Sequence, residues 1–467
     1  MSRDIGKILK QLPSMDIMLG REKIHFFIEH LGRNTVKAVL NDVISRKRTA
    51  VIGGQDSSLS TEQIEEEACN ILEKKRMPGL RKVINATGVV IHTNLGRSCL
   101  SKEARESVSL ISSSYNTLEY DLDLGKRGQR NSHVEWLLCE VTGAEAALVV
   151  NNNAGAVMLC LAALARGKEV IVSRGELVEI GGSFRVPEIM EFSGAKLVET
   201  GATNRTHRYD YECSVTENTA MLLKVHPSNF RIQGFTSEVS REELAELAGK
   251  NGLIFMEDIG SGVLVDVRKL GLSGEPTVRD CVEAGADVVT FSGDKMLGGP
   301  QIGGIVGRKQ IIDRLRTFPL LRALRVDKMT LTAFETTLRQ YIRRDYDKIP
   351  TLSMLSRSIP AMKKHASSLA RKIRRSVPEI DIKIIDVEDA VGGGAFPVTS
   401  LSGVGIALRC SRWNSAGELQ NILRSADPPV IVGAKDNVAV IHVRTLLDGD
   451  DSLIVNSLKV LYEKDEI

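Results

Sequence analysis

Between about residues 80 and 330, short β-branched runs alternate with helix-like stretches. That alternation limits the fold more than any other feature, because strands joined by helical crossovers assemble into a mainly parallel sheet covered by helices. The runs expected as strands are Ala146 to Val150, Glu169 to Val172, Lys196 to Glu199, Ala220 to Val225, Leu253 to Met256, Asp287 to Phe291 and Gly303 to Val306. Ligands of such sheets bind outside the carboxyl ends of the strands. Most of the chemically suggestive peptides in this chain follow one of these runs, which a random scatter would not produce.

The flanks read differently. Up to about residue 75 the pattern is helical and amphipathic, with Ile24, Phe27, Ile28 and Leu31 on one stripe and polar breaks at Gly53-Gly54 and Ser57 to Ser60. After Leu331 comes a helix-rich stretch containing Arg371 to Arg375, then Gly392-Gly393-Gly394 and several short strands. The expected division is a helical unit over 1–75, a large ligand-binding domain over 76–330 and a smaller α+β domain over 331–467.

Composition excludes several classes. No uninterrupted apolar run approaches the roughly 20 residues that cross a bilayer, and Met1-Ser2-Arg3-Asp4 lacks the apolar core of a signal peptide, so a cytoplasmic protein is expected. Seven cysteines stand without a close pair, which argues against a disulfide framework or a zinc cluster. The net charge of +3 is near balance, so any nucleic-acid contact must come from a local basic face. Arg46-Lys47-Arg48 and Lys74-Lys75-Arg76 are the basic runs of the N-terminal segment, although a charge run is more often a solvated helix face.

The chemistry centres on Ser292-Gly293-Asp294-Lys295-Met296-Leu297-Gly298-Gly299-Pro300. One lysine stands on a glycine-flanked turn directly after an apolar run, as a Schiff-base lysine must to reach an aldehyde cofactor above a sheet edge. Lys295 is therefore the expected pyridoxal phosphate lysine. Asn151-Asn152-Asn153-Ala154-Gly155 ends one strand and opens a helix, exposing N–H groups and a positive dipole end to a phosphate; Asn152, Asn153 and Ala154 are the expected cradle. Asp258 follows another strand and is suited to pair with a pyridine nitrogen. Its neighbour Glu257 competes, but strand alternation lets only one of the two face the ring, and the glycines beside Asp258 favour it. Arg97, Arg322 and Arg325 could converge on an oxyanion through forked hydrogen bonds. His226 and Arg174 also follow strand-like runs, and either could line the cofactor ring.

Together these peptides resemble the bacterial selenocysteine synthases, the L-seryl-tRNA(Sec) selenium transferases, among the aspartate aminotransferase-like (fold type I) pyridoxal phosphate enzymes. The matching stretches include Val83 to Gly88, His92 to Arg97, Leu118 to Asp123, Asn151 to Asn153, Val172 to Gly182 and the Lys295 and Arg322 peptides, with Gln11-Leu12-Pro13-Ser14 near the start. The resemblance implies that Lys295 carries the cofactor and that Arg97, Arg322 and Arg325 form a selenophosphate site. It also implies that the N-terminal domain holds the tRNA, and that the protein assembles as a homodecamer, a ring of five dimers. The implied reaction converts seryl-tRNA(Sec) to selenocysteinyl-tRNA(Sec): β-elimination of the serine hydroxyl, with Lys295 as the base at Cα, is followed by addition of selenium from selenophosphate. The rival readings are a lyase or transferase acting on a free amino acid, which has no use for an N-terminal RNA domain, and an RNA-binding or assembly protein, which has no use for Lys295.

Overall fold

The computed structural model describes residue 9 and residues 11–53, 60–180, 184–397, 399–410, 412–413 and 415–464; most of the polar break at 54–60 and the Gly181-Gly182 end of one resembling stretch lie outside them. The chain forms two compact units, Met1–Lys82 and Val83–Ile467.

The first unit contains helices Met15–Leu19, Glu22–Leu31, Arg33–Ile52 and Thr61–Arg76. Ser14 and Ser60 cap two of them by accepting from the backbone N–H groups of Ile17 and Gln63. Ile24 and Phe27 from the expected stripe are buried with Val36, Leu40, Ile64 and Leu72, while Ile28 and Leu31 are partly buried at the margin. Arg21 closes the cluster with a 2.6 Å bond to the buried Glu65. The basic run is partly neutralised: Arg46 bonds Asp42 at 3.1 Å and Glu67 at 2.9 Å, and Lys47 reaches Glu67 at 3.1 Å.

In the second unit all seven expected strands form, within one or two residues of their predicted ends: β1 Ala146–Val150, β2 Glu169–Ser173, β3 Lys196–Thr200, β4 Thr219–Val225, β5 Ile254–Asp258, β6 Val288–Ser292 and β7 Gly303–Gly307. They make one sheet in the order β1-β7-β6-β5-β4-β2-β3. β7 runs antiparallel to both its neighbours, and the other pairings are parallel. Alternation along each strand feeds two cores: Phe255, Val289 and Phe291 join the cluster on one face, Met256 and Val288 the cluster on the other. Burying one such side chain stabilises the fold by about 1.5–3 kcal/mol. Gly304 of β7 lies against the Phe291 ring where a Cβ would collide with it, so the glycine at this point of the strand is a packing requirement.

A second sheet of six strands takes 84–86, 430–435, 438–442, 400–409, 381–392 and 89–91 in that spatial order. Its two edge strands precede the large sheet in sequence, so the smaller domain draws on residues 84–91 as well as the expected C-terminal stretch. Conversely, helix Lys328–Arg343 gives Leu331, Phe334, Leu338 and Tyr341 to a core of the large sheet. The contact boundaries thus fall elsewhere than the expected 75/76 and 330/331. The chain crosses between the two sheets twice, and a composition-based division cannot register such crossings.

Candidate active site

The carboxyl ends of β1, β5 and β6 meet at Lys295, and each contributes through the turn that follows it. The lysine stands three residues beyond β6, buried at 6% exposure. Its Nζ lies beside Gly260, after β5, and beside Gly394 of the triple glycine; a Cβ built at Gly394 would stand 2.6 Å from Nζ. Gly394 has φ of +82°, where L side chains are strained. Burial holds the Lys295 pKa below that of an ordinary lysine, and the Arg97 guanidinium lowers it further, against the pull of Asp258, Asp294 and Glu275. A larger fraction of unprotonated, nucleophilic amine is the result.

Asp258 ends β5 at 4% exposure, and its Oδ1 accepts from Asn153 Nδ2 at 2.8 Å and from Thr290 Oγ1 at 2.9 Å. Burial raises its pKa while these donors oppose the rise. Glu257 is held by Arg241 at 3.1 Å, on the opposite face of the strand from Asp258. Asn152 caps helix Asn153–Leu164 by accepting from the N–H of Gly155 at 2.8 Å. Ala154 lies in the same first turn, with Asn153 tied back to Asp258. The helix start and the carboxylate are thereby one assembly, which the sequence could only suggest.

The arginines are held by different partners. Arg97 bonds Asp294 at 2.7 Å, next to the lysine. The 319–325 peptide instead abuts the cradle: Leu324 C=O accepts from the N–H of Asn151 at 3.1 Å, and its side chain packs on Gly155. There Arg322 is exposed and Arg325 lies 3.7 Å from Glu119. Arg174 bonds Glu199 at 3.1 Å and so engages the protein rather than the site. His226 lines a cavity of about 470 Å³ together with Glu176, Arg205, Glu275 and Phe396, and its backbone N–H bonds the Asp258 carbonyl at 2.9 Å. Burial above all, then Lys224, pushes its pKa down to about 4, so the ring is neutral.

Four contributors escaped sequence reasoning: Thr290, Ser228, Glu275 and Gly394. Only the triple glycine left a local trace. The fit to pyridoxal phosphate rests on unfinished polar groups: Asn153 Oδ1 and Ser228 Oγ are buried without partners, and Ser228 Oγ borders the same Gly260 as Lys295 Nζ. Such atoms are costly unless a ligand completes them. An amine for the aldehyde, a buried carboxylate and a helix start at one sheet edge make up the donor set this cofactor needs. Among the described residues, no group of three or more His, Cys, Asp or Glu is placed to hold a metal ion, and no helix is long and apolar enough to cross a membrane.

The family profile described as L-seryl-tRNA selenium transferase matches residues 83–447. The chain belongs to that family. L-seryl-tRNA(Sec) selenium transferases of Clostridium perfringens (strain 13 / Type A) and Caldanaerobacter subterraneus subsp. tengcongensis (strain DSM 15242 / JCM 11007 / NBRC 100824 / MB4) are 49% and 46% identical to it. The alignments cover 98% of this chain and 99% of the first relative, and 97% and 98% for the second. Among solved structures, a D-glucosaminate-6-phosphate ammonia-lyase superposes with a TM-score of 0.57 at 22% identity, covering 85% of this chain and 99% of that one. That likeness bears on fold alone. The architecture is fold type I and the cofactor of the family is pyridoxal phosphate, as the sequence predicted.

Proposed function

We propose that this chain converts serine esterified to tRNA(Sec) into selenocysteine, with selenophosphate as the selenium donor. Near-full-length similarity to named selenium transferases supports the reaction, and the observation that carries it chemically is Lys295, buried and depressed in pKa between Gly260 and Gly394. When bound, pyridoxal phosphate supplies an electron sink that makes the Cα proton of the seryl group acidic. The chain's own residues do the rest. Lys295 binds the cofactor, takes the proton at Cα and returns one after selenium has added at Cβ. Asp258, fixed by Asn153 and Thr290, is the partner for the ring nitrogen; the start of helix Asn153–Leu164 takes the phosphate, and neutral His226 lines the ring.

Arg97 beside the lysine, with Arg322 and Arg325 beside the cradle, receives the selenophosphate anion. The Met1–Lys82 unit holds the tRNA, through shape and backbone contacts rather than base reading in the deep major groove. Dimers are the building block of a homodecamer in the cytoplasm. Incubating the protein with seryl-tRNA(Sec), selenophosphate and pyridoxal phosphate, then identifying the amino acid on the RNA, tests the reading. Selenocysteine is expected, and recovery of unaltered serine would sink it.

A further inference from the structure

Beside Lys295 stands an acid that the roles above leave unused. Glu275 lies on the long connection between β5 and the helix Val278–Glu283, and this connection carries it against the triple-glycine turn. One carboxylate oxygen, Oε1, accepts the backbone N–H of Phe396, two residues beyond the Gly394 that presses on Lys295. The other, Oε2, is shut off from solvent and has no hydrogen-bond partner. Ser261, next to Gly260, helps hold the pKa of the same carboxyl down, and the carboxyl's charge is felt at the Lys295 amine. With His226 and Phe396 it lines the cavity of about 470 Å³. A buried carboxyl oxygen without a partner is costly, and a substrate atom seated in the cavity would supply the missing partner.

We propose, resting on the seryl-tRNA reading, that Glu275 is the general acid of the elimination, passing a proton from Oε2 to the β-oxygen of the seryl group. The Lys295 amine takes the Cα proton, and the electron pair of that bond becomes the second bond between Cα and Cβ. The Cβ–O bond breaks with its pair on oxygen, and the oxygen leaves as water with the proton from Glu275. Glu275 is left as a carboxylate bonded to the Phe396 N–H, and regains a proton from water before the next turnover. Burial holds this carboxyl above the usual glutamate range, with Ser261, the Phe396 N–H and Lys295 opposing, so it keeps its proton to higher pH than an exposed glutamate. The other acids and bases lining the cavity suit the task less: His226 is neutral, Glu176 is bonded to Lys224, and Glu238 is exposed and also faces Lys224.

The test compares full-length wild type, Glu275→Gln and Glu275→Asp, each loaded with pyridoxal phosphate, on seryl-tRNA(Sec) and on the same RNA carrying β-chloroalanine, whose chloride departs without a proton. Glu275→Gln is expected to slow elimination from the seryl substrate about 100-fold or more, with RNA affinity unchanged to within about threefold, and to slow the chloroalanyl substrate less than about threefold. Glu275→Asp should recover part of the loss, and all three proteins should carry the same cofactor absorbance near about 420 nm. Equal losses on both RNAs, no loss on the seryl RNA, or a variant without the absorbance band overturn the acid role. A wild type that carries the band yet converts neither RNA would instead sink the seryl-tRNA reading, and this role with it.

Discussion

Burial depresses two titrating residues at the site, Lys295 and His226. Lys295 is depressed mainly by desolvation and next by Arg97, so Arg97→Gln removes a nearby positive charge and also frees Asp294 from its 2.7 Å partner. Both changes favour the protonated amine. The rate of cofactor recapture by stripped protein should therefore reach its plateau at higher pH in Arg97→Gln than in wild type, and a profile that stays put or moves down would refute the electrostatic account. His226 is the stability counterpart. The unfolded chain takes up a proton near pH 6.5, which the folded chain refuses until about pH 4. His226 thus contributes stability that is whole above about 6.5 and is lost as pH falls toward 4, by about 3 kcal/mol at most. Urea midpoints of cofactor-free protein should fall more steeply over that window in wild type than in His226→Gln.

Short segments rather than whole domains carry the precision of the site. The helix Asn153–Leu164 is positioned by its cap, by the Asn153–Asp258 bond and by Leu324 against Gly155. The triple-glycine turn does the same from the other sheet, and only a glycine at 394 combines φ of +82° with room for the lysine amine. Gly394→Ala is expected to cost about 1–2 kcal/mol from the left-handed backbone and to push Lys295 off its approach. Its signature should be loss of the cofactor absorbance with far-UV circular dichroism preserved. Retention of the band at wild-type intensity would show that the turn has slack.

At the scale of the molecule, the helical unit ending at Lys82 has its own buried cluster, and every residue placed at the site belongs to Val83–Ile467. The fragment 83–467 should accordingly fold and bind pyridoxal phosphate while losing at least about tenfold in affinity for seryl-tRNA(Sec), because phosphate and shape contacts are lost together. Undiminished RNA binding by that fragment would remove the proposed role of the N-terminal unit.

What the sequence determined by itself is what local periodicity and local chemistry encode. Seven β-branched runs became seven strands, the helical stripe of Ile24 and Phe27 became a core, and Lys295, Asp258 and the Asn152 cap each announced themselves by standing just past a strand. The resemblance of the peptides around them named the family before any coordinates did. What only the tertiary structure decided are the contacts between distant stretches. Strands 84–86 and 89–91 pair with C-terminal strands far along the chain; Gly394 meets Lys295 from another sheet, Arg97 and Arg325 are held by the carboxylates of Asp294 and Glu119, and Glu275, which lines a cavity, keeps one buried oxygen without a partner. A residue's own neighbours in sequence fix its backbone preference and which face it presents, but the burial that shifts a pKa or strands a carboxylate comes from chain that arrives only on folding.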